Sequence, residues 1–317
     1  MAVPVVLRQR LVSGTLLATG LVGVVILDGW LSSLVKKMPF GGLEYWLLNG
    51  ALTTAVLLGV TTLAARELLR FARHAGLTPH APLVYFFSAG LIIGPYISSN
   101  HQLLFGWRDE SWAMVWMALA LGCAFYLQAA RRSAEHAMNN LAITIFIIFY
   151  TGGLASFLTR LRMDVGGWQG ATIALYSLAA VKCTDIGAYF IGSAVGRTKL
   201  IEWLSPKKTW EGLAGGLAVA VGVSIALGLI LTGSGAIRPS FHGLPLVVGF
   251  SLLGLSMGVM SVAGDLCASL LKRGAAVKDS GHSIPGMGGI LDVIDSPLLA
   301  APVAWFFWTR AFPIGAG

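Results

Sequence analysis

Long apolar segments alternate with short polar connections along almost the entire chain. A helix that crosses a bilayer needs about 20 predominantly apolar residues, and nine segments meet that requirement. They lie near residues 11–31, 45–65, 82–99, 111–130, 141–158, 168–193, 212–232, 244–263 and 290–309. The third and fifth are the shortest, so eight spans remain an alternative. The pattern predicts an all-α fold, a polytopic transmembrane helical bundle of about nine membrane-spanning helices.

The amino-acid composition also favours a membrane protein. Of the 317 residues, 56% are hydrophobic and only 11% are charged, which is too little charge to cover a soluble domain of this length. We predict one membrane domain, with N-terminal transmembrane helices in residues 1–160 and C-terminal helices that carry the polar motifs in residues 161–317. The first apolar segment lacks a small-residue cleavage site, so we interpret it as an uncleaved helix whose Asp28 reaches the membrane interface.

The net charge of +8 bears on partners and on orientation. The basic residues are dispersed between apolar segments, which favours anionic lipid headgroups over nucleic acid as the partner. The N-terminus and alternate loops hold twice as many lysines and arginines as the opposite set, so the positive-inside rule places the N-terminus in the cytoplasm. The same rule places loops 194–211 and 264–289, and an active site formed by them, at the cytoplasmic face.

Charged residues concentrate between Gly264 and Ser296. The charges in this stretch are Asp265, Lys272, Arg273, Lys278, Asp279, Asp292 and Asp295. Beside a membrane they are unfavourable unless metal ions, phosphates or each other compensate them. Asp292 and Asp295, three residues apart, share one face of a helix, and Asp265 ends the preceding span. Three carboxylates suit Mg²⁺; the alternative is that these acids simply pair with the neighbouring bases.

A glycine-rich loop precedes the last apolar segment. Its glycines are Gly281, Gly286, Gly288 and Gly289. Such spacing lets backbone N–H groups approach an anion, and the helix that follows presents its positive end. Flanked by Lys278 and Asp292, the loop is a candidate phosphate site.

The loop before the seventh span also carries polar residues. Ser205 and Pro206 predict a turn, and the run from Thr209 to Glu211 predicts a helix start with an acid in its first turn. Lys207 and Lys208 stand on the predicted cytoplasmic side. They are candidates for contact with a triphosphate or a lipid phosphate; ordinary membrane-surface bases are the alternative.

Two further charged segments have structural and functional interpretations. Lys182 and Asp185 lie inside the sixth span at i, i+3, so they can form an ion pair, and Asp185 is also a candidate for lining the site. The segment from Arg66 to Gly76 is predicted to extend a helix out of the membrane with its bases facing headgroups. The chain contains no Ser-His-Asp pattern, P-loop or HExxH motif, which disfavours hydrolytic and P-loop nucleotide chemistry.

These motifs resemble those of the phosphatidate cytidylyltransferase (CDP-diacylglycerol synthase) family. In the C-terminal signature the matching residues are Ser269, Lys272, Arg273, Lys278, Asp279, Pro285, Gly286, Gly288, Gly289, Asp292 and Asp295. Upstream, the matching residues are Asp185, Ala188, Tyr189, Gly192 and the run from Ser205 to Gly212. Met287 and Val293 stand where the family usually has His and Arg.

The resemblance implies an enzyme of phospholipid biosynthesis that converts CTP and phosphatidate to CDP-diacylglycerol and pyrophosphate. The catalytic residues it implies are Asp265, Lys272, Arg273, Lys278 and Asp292. The substrate-binding residues are Asp185, Ser205, Lys207, Lys208, Ser269, Asp279, Gly286, Gly288 and Gly289. The expected ligands of Mg²⁺ are Asp265, Asp292 and Asp295, and a second cation remains open.

Two other functions remain as alternatives. A CTP-dependent kinase of a membrane alcohol would use a similar set of acids and bases. An ion-coupled transporter is disfavoured, because the charges gather at one membrane face and no internal repeat is visible. The expected partners are CTP, phosphatidate and membrane lipids. A homodimer is a further hypothesis, based on the closely spaced Gly212, Gly215 and Gly216.

Overall fold

The computed structural model describes residues 5–35, 43–100, 109–132, 134–240, 245–277, 280–281, 284 and 288–311. Three residues of the predicted site lie outside these ranges: Lys278, Asp279 and Gly286. Met287, one of the two departures from the family signature, also lies outside them.

Helices make up nearly all of the described chain. The first six are α1 (Val5–Leu34), α2 (Leu43–Leu48), α3 (Ala51–His74), α4 (Ala81–Asn100), α5 (Asp109–Ala130) and α6 (Ala137–Ile147). A π-helical segment, Ile148–Gly153, joins α6 to α7 (Leu154–Val165). The remaining helices are α8 (Gly167–Val195), α9 (Trp210–Gly233), α10 (Leu246–Gly274) and α11 (Leu291–Phe306), the last continued by a π-helical segment at Phe307–Ala311.

Nine helical segments within the described residues are long and apolar enough to cross a membrane, which confirms the predicted bundle. The second span differs most from its predicted position. It begins at Ala51 because Gly50 has a φ of +82° and interrupts the helix. It continues to His74, which agrees with the helical extension predicted for the segment from Arg66 to Gly76. Helices α8 and α10 have 29 residues each, about 44 Å, so both exceed a hydrocarbon core of about 30 Å.

One β-hairpin interrupts this helical architecture in the described residues. Strand β1 (Lys199–Ile201) pairs antiparallel with β2 (Ser205–Thr209). The predicted turn at Ser205 and Pro206 is therefore wrong: both residues lie in β2, and the chain reverses just before them. A two-stranded sheet consists of edge strands, where proline is tolerated.

The predicted start of α9 is confirmed. The hydroxyl of Thr209 accepts a hydrogen bond from the Gly212 N–H at 3.1 Å, which caps the helix. The Glu211 carboxylate accepts from the backbone N–H groups of Arg197 and Thr198, each at 3.1 Å. These contacts tie the base of the hairpin to the first turn of α9.

Glycines allow α9 to pack closely against α8. A Cβ added at Gly216 would lie 2.8 Å from both the Ala188 Cβ and the Thr184 carbonyl oxygen. Added Cβ atoms at Gly212 and Gly215 would also press on α8. The glycines that suggested a homodimer therefore serve packing within the chain.

Helix α11 lies between the two buried apolar clusters of the described chain. Leu291 and Leu298 belong to the cluster built mainly from α3, α4 and the segment 147–155. Ala300 and Ala304 belong to the cluster that α8 and α10 form. A helix held on both sides is a rigid support for its polar residues.

The contact between α10 and α11 depends on Gly264. An added Cβ there would lie 2.6 Å from the Asp295 carbonyl oxygen and 2.9 Å from the Ser296 Cα. Both are backbone atoms, so Gly264→Ala must separate the helices. We expect a loss of about 1–3 kcal/mol in stability, typical of overpacking, measured by thermal unfolding in detergent.

The matched control for this variant is Gly222→Ala in α9. A Cβ added at Gly222 would meet no heavy atom of the described chain within 4 Å. Alanine is also the better helix former, so stability should stay equal or rise slightly. Equal losses in the two variants would contradict the close approach of α10 and α11.

Asp28 does not stand alone at the end of its span; it is buried among neighbouring helices, with 1% of its surface exposed. The Arg162 Nε donates to the Asp28 Oδ2 at 2.8 Å. The Thr53 hydroxyl donates to the same oxygen at 2.8 Å, and the Arg162 Nη2 donates to the Ser32 hydroxyl at 2.6 Å. This network joins α1, α3 and α7, which the sequence shows only as three separate apolar segments.

Candidate active site

Three of the predicted acids lie on helices that contact one another. Asp185 is on α8, Asp265 on α10 and Asp295 on α11, and each pair of these helices is in contact. Asp295 is buried, with 4% exposed. The charged groups that interact electrostatically with the Asp295 carboxyl are Asp265, Lys182 and Asp185. The structure therefore gathers these residues, which are far apart in the sequence, into one polar cluster where α8, α10 and α11 meet.

The hairpin brings a base to this cluster. The Lys208 Nζ lies 2.7 Å from the Asp265 Oδ2. The Asp265 side chain is 40% exposed and that of Lys208 is 23% exposed, so the described chain does not enclose the pair. Lys207, the preceding residue in β2, is exposed and forms no ion pair within the described residues.

Asp292 accepts hydrogen bonds through both carboxylate oxygens. Its Oδ1 lies 2.7 Å from the Lys272 Nζ. Its Oδ2 accepts from the Ser280 hydroxyl at 2.6 Å and from the backbone N–H groups of Ser280 and Gly289, each at 3.3 Å. Asp292 thus fastens the end of α10 and the glycine-rich loop to α11.

The described glycines of that loop make room for this carboxylate. Gly288 has a φ of +98°, which favours glycine. A Cβ added there would lie 2.8 Å from the Asp292 Oδ2. Gly288 also exchanges two backbone hydrogen bonds with Ile284, at 2.9 and 3.2 Å. The anion that the loop contacts here is a side chain of the protein itself.

Asp185 forms the ion pair that its spacing predicts. Its Oδ2 lies 3.4 Å from the Lys182 Nζ, one helical turn away. Its Oδ1 accepts from the Ser261 hydroxyl of α10 at 2.8 Å. Asp185 therefore links α8 to α10 while remaining 32% exposed.

The other predicted residues in the described ranges lie nearby along the same elements. Ser269 is half-buried on α10, four residues after Asp265 and therefore on the same helical face. Arg273 is exposed at the end of α10, and Ser205 is half-buried at the start of β2.

Glu67 is a polar residue at this site that the sequence interpretation missed. The bases around it that were expected to face headgroups are exposed; these are Arg66, Arg70 and Arg73. Glu67, in contrast, is buried, with 1% exposed. It accepts hydrogen bonds from the backbone N–H groups of Ile290 and Leu291 at 3.0 and 2.9 Å. The only signal in the sequence is a lone acid among bases on α3.

The acids as they are arranged do not form a ready metal site. Within the described ranges, no three His, Cys, Asp or Glu side chains are placed to hold one metal ion. Asp292 contacts Lys272, a pairing that the sequence left open, whereas Asp265 contacts Lys208 of the hairpin, which the sequence did not suggest. The ligand set Asp265, Asp292 and Asp295 remains a prediction.

Comparison with known proteins gives consistent matches along the chain. The profile described as "Cytidylyltransferase family" matches residues 40–310. A protein named phosphatidate cytidylyltransferase from Synechocystis is 31% identical over 297 residues, which is 85% of this chain and 90% of that protein. Another of that name from Haemophilus influenzae is 35% identical over 199 residues, 62% of this chain and 66% of the relative. Phosphatidate cytidylyltransferase 5, chloroplastic, from Arabidopsis thaliana is 32% identical over 284 residues, 83% of this chain and 66% of the relative.

Proposed function

The chain belongs to the cytidylyltransferase family, and from this premise we propose that it transfers the CMP moiety of CTP to phosphatidate. It is an integral, multi-pass membrane protein. The observation that carries the proposal is the pairing of Lys208 with Asp265 and of Lys272 with Asp292, which places acids and bases together beside a buried Asp295. Two anionic substrates need the positive charge of the bases, and the acids offer oxygen ligands for a divalent cation.

The reaction forms one phosphorus–oxygen bond and breaks another. A phosphate oxygen of phosphatidate attacks the α-phosphorus of CTP, and the bond to the bridging oxygen breaks as pyrophosphate leaves with the electron pair. The nucleophile is already an anion, so no covalent intermediate with the protein is needed. The protein has to align the two substrates and stabilise negative charge.

The lysines can contact a protein carboxylate and a substrate phosphate at the same time. Lys208 and Lys272 contact carboxylates at 2.7 Å. Because an ammonium group has three N–H donors, each lysine can keep its aspartate and still bind a phosphate oxygen. Lys207 and Arg273 are exposed and add positive charge beside these two.

The acids suit a magnesium ion by donor chemistry, although Asp265 and Asp292 each contact a lysine in this arrangement. Asp265, Asp292 and Asp295 offer the hard oxygen donors that Mg²⁺ prefers, and the partial exposure of Asp265 gives access. These three residues would hold the ion. Bound there, Mg²⁺ would neutralise charge on the triphosphate oxygens.

The proposed orientation places this cluster in the cytoplasm. The excess of lysine and arginine in alternate loops supports it. In that orientation CTP arrives from water, while phosphatidate arrives by lateral diffusion in the inner leaflet.

Labelled CTP distinguishes the proposal from the rival kinase. Purified protein in vesicles with phosphatidate and Mg²⁺ should transfer label from the α-phosphate of CTP into lipid, and label from the γ-phosphate into pyrophosphate. Vesicles that contain a polyprenol and no phosphatidate are the control. Transfer of the γ-label to the polyprenol, with the α-label left in CDP, would replace our proposal with the kinase.

A further inference from the structure

We infer that Glu67 is a positioning residue for this reaction: its carboxylate holds the first turn of α11 and thereby aims Asp292 and Asp295. The inference rests on the proposed function for its effect on turnover. It concerns a residue in the N-terminal half of the chain, outside the motifs that carry the family resemblance.

The contact itself is specific. Glu67 Oε1 accepts from the Ile290 N–H at 3.0 Å, and Oε2 accepts from the Leu291 N–H at 2.9 Å. The first N–H groups of a helix have no partner within the helix, and they form its positive end. A buried carboxylate that binds two of them compensates its own charge and fixes the direction in which the helix begins.

Two carboxylates accept hydrogen bonds from the backbone N–H groups at the start of α11. Asp292 accepts from the Gly289 N–H, while Glu67 accepts from the next two residues. A side chain at Gly289 would collide with the Glu67 carboxylate and the Ser280 hydroxyl. The helix end that the sequence presented as a phosphate site is thus occupied by the protein's own anion.

The two residues that Glu67 binds immediately precede the acids of α11 in the sequence. Asp292 lies one residue after Leu291, and Asp295 lies one helical turn further on. A change in the first turn of α11 therefore reorients both carboxylates. Loss of an outer partner that orients a site residue typically lowers activity about 10- to 100-fold.

Glu67→Gln tests this role with little change in size. The amide retains one oxygen acceptor but turns an NH₂ group towards a backbone N–H donor. We expect kcat of the full-length protein in phosphatidate vesicles to fall about 10- to 100-fold, with KM for CTP and for phosphatidate within about threefold. Glu67→Asp keeps the charge and should recover part of kcat. Glu135→Gln removes an exposed acid and should leave both constants unchanged.

Hydrogen exchange gives a readout that does not depend on activity. The amides of residues 289–292 should be well protected in the wild type, and Glu67→Gln should speed their exchange more than that of α9. Unchanged kcat in Glu67→Gln, a rise in KM for CTP alone, or fast exchange of these amides in the wild type would each overturn the inference. If the wild type makes no CDP-diacylglycerol, the proposed function fails, while the exchange measurement still tests the hold of Glu67 on α11. If Glu67→Gln does not fold, Glu67→Asp and the wild-type exchange decide.

Discussion

Asp265→Asn is expected to lower kcat at least about 100-fold, the scale of losing one preorganised electrostatic group, while the protein stays folded. The substitution removes the charge that holds Lys208 at 2.7 Å and one expected oxygen ligand of Mg²⁺. Because the Asp265 side chain is 40% exposed, its ion pair contributes little to stability. Turnover of labelled CTP and thermal unfolding in the same detergent measure the two effects separately.

Asp164→Asn is the matched control for this variant. Asp164 lies near the end of α7 and accepts a hydrogen bond from the Trp305 Nε1 at 2.6 Å. The asparagine oxygen can accept the same bond, so we expect activity within about twofold of the wild type. Near-normal activity of Asp265→Asn would remove that residue from the proposed site.

The second large effect is expected on stability. Arg162→Met should destabilise the protein by about 3–5 kcal/mol, because it leaves Asp28 buried and charged without its partner. Both side chains of this pair are only 1% exposed, so water cannot replace the lost guanidinium. Unfolding by a denaturing detergent, followed by circular dichroism, measures the loss.

A double variant separates the charge effect from the loss of packing. Asp28→Leu combined with Arg162→Met removes both charges, and replacing a whole buried pair by apolar residues is often neutral. The double variant should therefore be more stable than Arg162→Met alone. Glu135→Gln, in an exposed pair with His136, should change stability by less than about 1 kcal/mol. A double variant no more stable than the single one would show that the pair is not what holds α1 and α7 together.

The bundle was predictable from the sequence because bilayer thickness sets the length of an apolar span. The windows around residues 111–130 and 168–193 fall within a few residues of the observed helices. Hydropathy fails at the ends, where a helix continues into charged residues. Helix α10 runs to Gly274 and carries Lys272 and Arg273 in its last turn.

The site was predictable only as far as its residues are close in sequence. The ion pair of Lys182 with Asp185 follows from helical spacing. The partners of Glu67 lie 223 and 224 residues away, and Arg162 lies 134 residues from Asp28. Periodicity and motif spacing contain no information about such distances, so the sequence shows these charges without showing what compensates them.

The hydrogen bonds from α11 to Glu67 also limit how far related chains can be recombined. A chimera that joins residues 161–317 to the N-terminal spans of another protein would carry every residue of this chain that matches the family signature. In such a chimera, the first N–H groups of the last helix would have a carboxylate partner only if the donor protein supplied an acidic residue at the position of Glu67. The N-terminal half, which lacks the family signature, therefore cannot be exchanged freely for the N-terminal half of another protein.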